Sequence, residues 1–89
     1  MKDSDKVKII KTLRNEIDRI DEDIIDLLEK RVEVAKKIIK NKRKLGKNKH
    51  SPDRENKLLS HLTEYSNLPK SFVRKLYDEI LVMVKTLVK

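Results

Sequence analysis

Arg14, Arg31, Lys42 and Arg54 are the residues of this chain whose types and spacing point to chemistry. Arg31 follows Leu28 by three and precedes Ala35 by four, while Lys42 follows Ile38 by four and precedes Leu45 by three. On a helix, both stand where the apolar period asks for a hydrophobic side chain. They are eleven residues apart, which puts them on nearly one face, about 16 Å from each other. Cations are rarely buried unpaired, so two readings compete. Either both snorkel from the edge of the stripe with their heads in water, or they form a cationic pocket for an anion. Arg14 borders the same stripe, four after Ile10 and three before Ile17. It lies roughly 25 Å up the helix from Arg31 and joins the other two only from a second, antiparallel copy. Arg54 falls in the first turn of a later helix, where a cation opposes the dipole. That conflict points to another employment, again an anion. No obvious nucleophile–base pair accompanies these residues.

The element that must position them is the stretch from Leu13 to Leu45. Apolar residues recur at Ile10, Leu13, Ile17, Ile20, Ile24, Leu28, Ala35, Ile38 and Leu45, mostly in steps of three or four. No Gly or Pro interrupts the run before Gly46. A helix over this stretch is roughly 50 Å long, whereas a chain of this size folds into a body about 25–30 Å across. The rest of the chain cannot cover such a helix, so a partner is expected to.

Composition bounds the class. Eighty-nine residues make one small domain, with 43% charged residues, 3% aromatics and a single Gly. That balance fits long helices. The absence of cysteine excludes a disulfide framework and a thiolate metal site and is compatible with a reducing cytoplasm, the expected location. No stretch reads as a signal peptide or membrane span. The net charge of +8 invites nucleic acid. Lysines, however, are interleaved with acids, as at Asp21-Glu22-Asp23 and Asp78-Glu79, and only Lys36 to Lys49 is locally very basic. No aromatic platform could stack bases, so nucleic acid is the minor reading. Asp18, Asp21, Asp23, Asp26, Glu29 and Glu33 read as a solvated face rather than a metal site, since no His joins them. No metal or cofactor is expected.

The chain divides into three helices, over about 5–45, 52–66 and 69–88. Met1 to Lys6 reads as a frayed start, with Ser4 or Asp5 as the first cap. Arg43-Lys44-Leu45-Gly46 ends the first helix with cations in its last turn and Gly at C′, and Lys47 to His50 is a short loop. Ser51 and Pro52 suit an N-cap and a first helical position. Leu58, Leu59 and Leu62 point inward, and His61, one step off, is a surface residue. Pro69 opens the third helix. There Phe72, Val73, Leu76, Tyr77, Ile80, Met83, Val84, Leu87 and Val88 read as core. The short connection after Gly46 predicts that the second helix folds back beside the first. The fold class is all-α: three helices per chain, one very long, in an antiparallel two-fold homodimer with a shared helical core.

This constellation resembles the all-helical chorismate mutases. Leu13-Arg14-Asn15-Glu16-Ile17-Asp18-Arg19-Ile20-Asp21 is similar to that family's opening pattern. Leu27-Leu28-Glu29-Lys30-Arg31 with Val34-Ala35 is similar to its middle, and Ser51-Pro52-Asp53-Arg54-Glu55 to its second-helix start. The resemblance covers nearly the whole chain and implies an intertwined dimer with two active sites, each drawing on both protomers. It also implies a substrate, the chorismate dianion, and a reaction, its one-step rearrangement to prephenate in phenylalanine and tyrosine biosynthesis. By resemblance, Arg31 and Arg14 of the partner subunit grip the two carboxylates and Lys42 donates to the breaking ether oxygen. Glu55 accepts from the ring hydroxyl, Arg54 lines the pocket, and Ser51 stands where the family often has an acidic residue. Late in the third helix the sequence departs from the pattern. Val84 and Val88 occupy positions where the family usually carries a small hydroxyl residue and a Gln or Glu. Either an ether-oxygen donor is lost, or Lys85 or Lys89 takes over. Two other functions stay open: an isochorismate pyruvate lyase-like enzyme of the same fold, and a non-enzymatic basic helical dimer that binds nucleic acid or another protein.

Overall fold

The long Gly- and Pro-free stretch forms a single helix. In the computed structural model, which describes residues 2–46 and 51–88, α1 spans Asp3–Lys44, α2 Pro52–Tyr65 and α3 Lys70–Leu87, with no strand among the described residues. The start of α1 differs from expectation. The Lys2 carbonyl accepts the amides of Asp5 and Lys6 at 3.0 and 3.1 Å, so the helix is under way by Asp3. Ser4 and Asp5 therefore lie inside it instead of capping it. Asp3 and Asp5 then sit in the first turn, where their charge favours the positive end of the dipole.

Local chemistry also sets the other ends. Lys42, Arg43 and Lys44 occupy the last turn of α1. Gly46 follows with φ +70°, a left-handed conformation that costs Gly nothing, and its amide donates to the Arg43 carbonyl at 3.1 Å. The loop expected over Lys47 to His50 lies outside the described residues. Ser51 caps α2 with its hydroxyl accepting from the Arg54 amide at 3.4 Å, and Pro52 holds the first turn. The break between α2 and α3 is stabilised by Ser66, whose hydroxyl accepts from the Leu68 amide at 3.0 Å. Pro69 caps α3 from outside rather than opening it, its carbonyl accepting from Phe72 and Val73.

The chain divides into two units, Met1–Arg31 and Val32–Lys89. In the first, every described residue is exposed except the half-buried Leu28 and Arg31. Ile10, Leu13, Ile17, Ile20 and Ile24 are each about half exposed, so this apolar stripe has no cover among the described residues.

The second unit holds the core: Val32, Ile39, Leu59, Val73, Ile80 and Val88 are buried, with Thr63 the buried polar residue. Thr63 satisfies its hydroxyl locally, on the Ser60 carbonyl at 3.0 Å. Among the described residues, α2 and α3 are the helices whose backbones approach closely. From Val32 onward α1 belongs to the same compact unit as α2 and α3, with Val32 and Ile39 buried in it. Two core assignments also change. On α1 the covered positions are Val32, Ala35, Ile39 and Lys42, whereas Ile38 and Leu45 face solvent. On α3 the covered face is Val73, Tyr77, Ile80, Val84 and Val88, leaving Phe72, Leu76 and Leu87 exposed.

Candidate active site

The N-terminal turn of α2 gathers most of the chemistry. Ser51 is half-buried, and its hydroxyl is engaged as the cap. Its carbonyl accepts the Glu55 amide at 3.0 Å, which fixes the first turn on which Arg54 and Glu55 stand. Arg54 is exposed. Its backbone serves the cap, and its guanidinium remains available for an anion.

Glu55 is half-buried and does not face solvent alone. The Lys85 ammonium of α3 lies 2.9 Å from Oε1 and donates to Oε2 at 3.1 Å, so it straddles the carboxylate. Side-chain exposures of 25% for Glu55 and 40% for Lys85 place the pair at the edge of the packed region. In so wet a setting an ion pair is worth only about 1 kcal/mol, and its value is geometric: it fixes the carboxylate against α3.

Val84 is half-buried and Val88 buried on the inward face of α3. Neither offers a side-chain hydrogen bond. Lys85, which the sequence offers only as a substitute donor, is the side chain that links the end of α3 to α2. Lys89 lies outside the described residues.

Lys42 is half-buried in line with Ala35 and Ile39, so a charged group occupies the covered face of α1 at its C-terminal turn. Arg31, at the end of the first unit, is also half-buried. Arg14 is exposed, in a shallow depression lined by Val7, Ile10, Lys11 and Asn15 of its own helix. None of Arg14, Arg31, Lys42 and Arg54 is salt-bridged to a described acidic side chain.

The other titratable groups are more ordinary. No group of three or more His, Cys, Asp or Glu gathers among the described residues in a way that could hold a metal. His61 is exposed and stacks on Tyr65, with ring centroids 5.9 Å apart. No described helix is long and apolar enough to cross a membrane.

The chain is similar to proteins of known kind. A family model described as chorismate mutase type II matches residues 13–89. The bifunctional chorismate mutase/prephenate dehydratase of Aquifex aeolicus (strain VF5) is 35% identical over 78 residues, 81% of this chain but 22% of that protein. The chain thus spans about a fifth of that relative's length. Form II of the chorismate mutase structure from Thermus thermophilus superposes with a TM-score of 0.83 at 32% identity, over 89% of this chain and 92% of that one. Form I gives 0.80 at 32% identity, over 84% and 96%.

Proposed function

This chain belongs to the chorismate mutase type II family, and from that premise we propose that it rearranges chorismate to prephenate, in the synthesis of phenylalanine and tyrosine. The observation that carries the reading is the extent of the family match. Residues 13–89 include every candidate from Arg14 to Val88.

The reaction is pericyclic: one carbon–carbon bond forms as the ether carbon–oxygen bond breaks, within one molecule. It needs no nucleophile, base, metal or cofactor. Catalysis then has two parts. The first is to hold the substrate in its compact reactive conformer, converting a rare geometry into the bound one. The second is to stabilise the negative charge that develops on the ether oxygen. In this proposal Arg31 and Arg14 of the partner subunit each fork onto one carboxylate, where a planar guanidinium gives bidentate geometry. Lys42 donates to the ether oxygen, Glu55 accepts from the ring hydroxyl, and Arg54 adds positive field. Ser51 holds the turn that presents Arg54 and Glu55, while Val84 and Val88 supply an apolar wall.

The proposal requires an antiparallel homodimer, in which α1 of each protomer brings its Arg14 to the other's site. The uncovered stripe Ile10, Leu13, Ile17, Ile20 and Ile24 supports it, being an apolar face of the kind a second copy of the same helix can cover. The cytoplasm, expected from a sequence without cysteine, is the compartment this reading assigns.

The test is loss of chorismate absorbance with purified protein, with prephenate identified as product and Arg31→Ala as control. Turnover abolished in the control is expected. Pyruvate released from isochorismate, without prephenate formation from chorismate, would favour a lyase. No turnover by an intact helical protein that binds duplex DNA with a steep salt dependence would favour the non-enzymatic reading.

A further inference from the structure

We propose that Lys85 is a positioning residue for the reaction: it acts through Glu55, holding that carboxylate as an oriented acceptor for the substrate's ring hydroxyl. The proposal deepens the functional reading above and rests on it. Three observations carry it. Lys85 reaches both oxygens of Glu55, at 2.9 and 3.1 Å, so the carboxylate is fixed in rotation as well as position. The contact joins residues thirty apart in sequence, on different helices, unlike the other described ion pair, Lys36–Glu33, which is local to α1. The inward neighbours of Lys85 on α3, Val84 and Val88, cannot hydrogen-bond through their side chains, so they cannot do this work in its place.

Chemistry permits both partners at once. A carboxylate has about four lone-pair sites, and the ammonium uses one on each oxygen. The remaining sites can accept a hydroxyl. A carboxylate is acceptor-only, which fits it to a substrate group that donates. Without Lys85, the half-buried Glu55 is free to change rotamer. A displacement of about 1 Å in a positioning group can cost on the order of a hundredfold in rate.

The experiment is a double-mutant cycle in the full chain, with KM and kcat for chorismate measured separately. The variants are Lys85→Gln, Lys85→Arg, Glu55→Gln and the double Lys85→Gln/Glu55→Gln. Circular dichroism and sedimentation establish that each is folded and assembled like the wild type. Lys85→Gln is expected to raise KM and to lower kcat/KM at least about tenfold. Lys85→Arg restores most of the loss. In the Glu55→Gln background, Lys85→Gln changes kcat/KM by less than about twofold, because the group it positions is already gone. A purely structural role would lower the active fraction, and hence the apparent kcat, with KM unchanged, and that result overturns the proposal. So does a Lys85→Gln loss that multiplies onto Glu55→Gln, which would mean direct contact with substrate. A wild type inactive on chorismate would overturn the functional reading itself and the role of Lys85 with it. An active wild type with an unaffected Lys85→Gln overturns only the latter.

Discussion

Replacing Lys42 by Met separates catalysis from stability more cleanly than any other single change in this chain. Methionine keeps the length and apolar stem of the half-buried side chain, which lies in line with Ala35 and Ile39, and removes only the ammonium. The stability cost follows from position. Lys42 sits in the last turn of α1 with Arg43 and Lys44. A cation there is worth about 0.3–1 kcal/mol against the dipole, and two cations remain. For a domain of this size that corresponds to a fall in Tm of at most about 4–8 °C. The catalytic cost is larger. A donor aimed at developing negative charge is worth about 3–4 kcal/mol, or 10²–10³ in kcat. Thermal melts followed by circular dichroism give the first number, and chorismate consumption well below the melting range gives the second. A Lys42→Met protein that melts within those few degrees yet keeps more than about a tenth of the wild-type kcat would refute the assignment of Lys42 to the ether oxygen. The side chain would then be a snorkelling lysine at the edge of a covered face.

Three further outcomes are expected. Ile17→Lys places a charge in the uncovered stripe of α1. Ile17 is 54% exposed in the chain, so a partner buries about half of it, worth about 1 kcal/mol per copy and about 2 per dimer. Sedimentation should show dimer association weakened at least about thirtyfold, whereas an unchanged dimer would place the seam elsewhere. Arg14→Ala and Lys42→Met chains, each inactive alone, should recover activity when unfolded together and refolded as an equal mixture. Half the dimers would be mixed and each would carry one intact site, giving roughly a quarter of wild-type activity. No recovery would mean that Arg14 acts within its own chain. Gly46→Ala should cost about 1–2 kcal/mol, read as a fall in Tm. The penalty comes from the φ of +70° alone, since nothing lies within 4 Å of the added methyl.

The parts of the fold legible in the sequence are those written in local chemistry. Gly46, Ser51-Pro52 and Ser66-Asn67-Leu68-Pro69 punctuate the helices because capping and backbone preference act over a few residues. Which face a helix buries is a different matter. Ile38 and Ile39 are adjacent and equally apolar, and so the period alone cannot choose between them. Packing within Val32–Lys89 chooses Ile39 and Val32. On α3 the apolar residues cover too much of the circumference for any stripe to emerge, which is why Phe72, Leu76 and Leu87 read as core though they are exposed within the chain. Among the site residues, Arg31, Lys42 and Arg54 stand out because each contradicts its local setting, a cation in an apolar period or at a helix N-terminus, whereas Glu55 suits its first turn and enters only through the family resemblance. The pairing of Lys85 with Glu55 spans thirty residues, and no local rule reaches across that distance.

The first thirty-one residues contain no buried side chain among those described, and for the proposed dimer that makes assembly depend on concentration. Residues 66–69 alone separate α2 from α3, so the two can dock quickly through contacts near in sequence. The first half of α1 has no such intramolecular reward, and a lone amphipathic helix is marginal in water. In the proposed dimer its ordering is a second-order event, governed by how often two chains meet. Apparent stability then follows mass action, so that every tenfold dilution costs the assembly about 1.4 kcal/mol. Synthesis rate and cellular abundance would thereby become determinants of specific activity: below a threshold concentration each chain would retain its α2–α3 hairpin but lack the Arg14 that its partner brings to the proposed site.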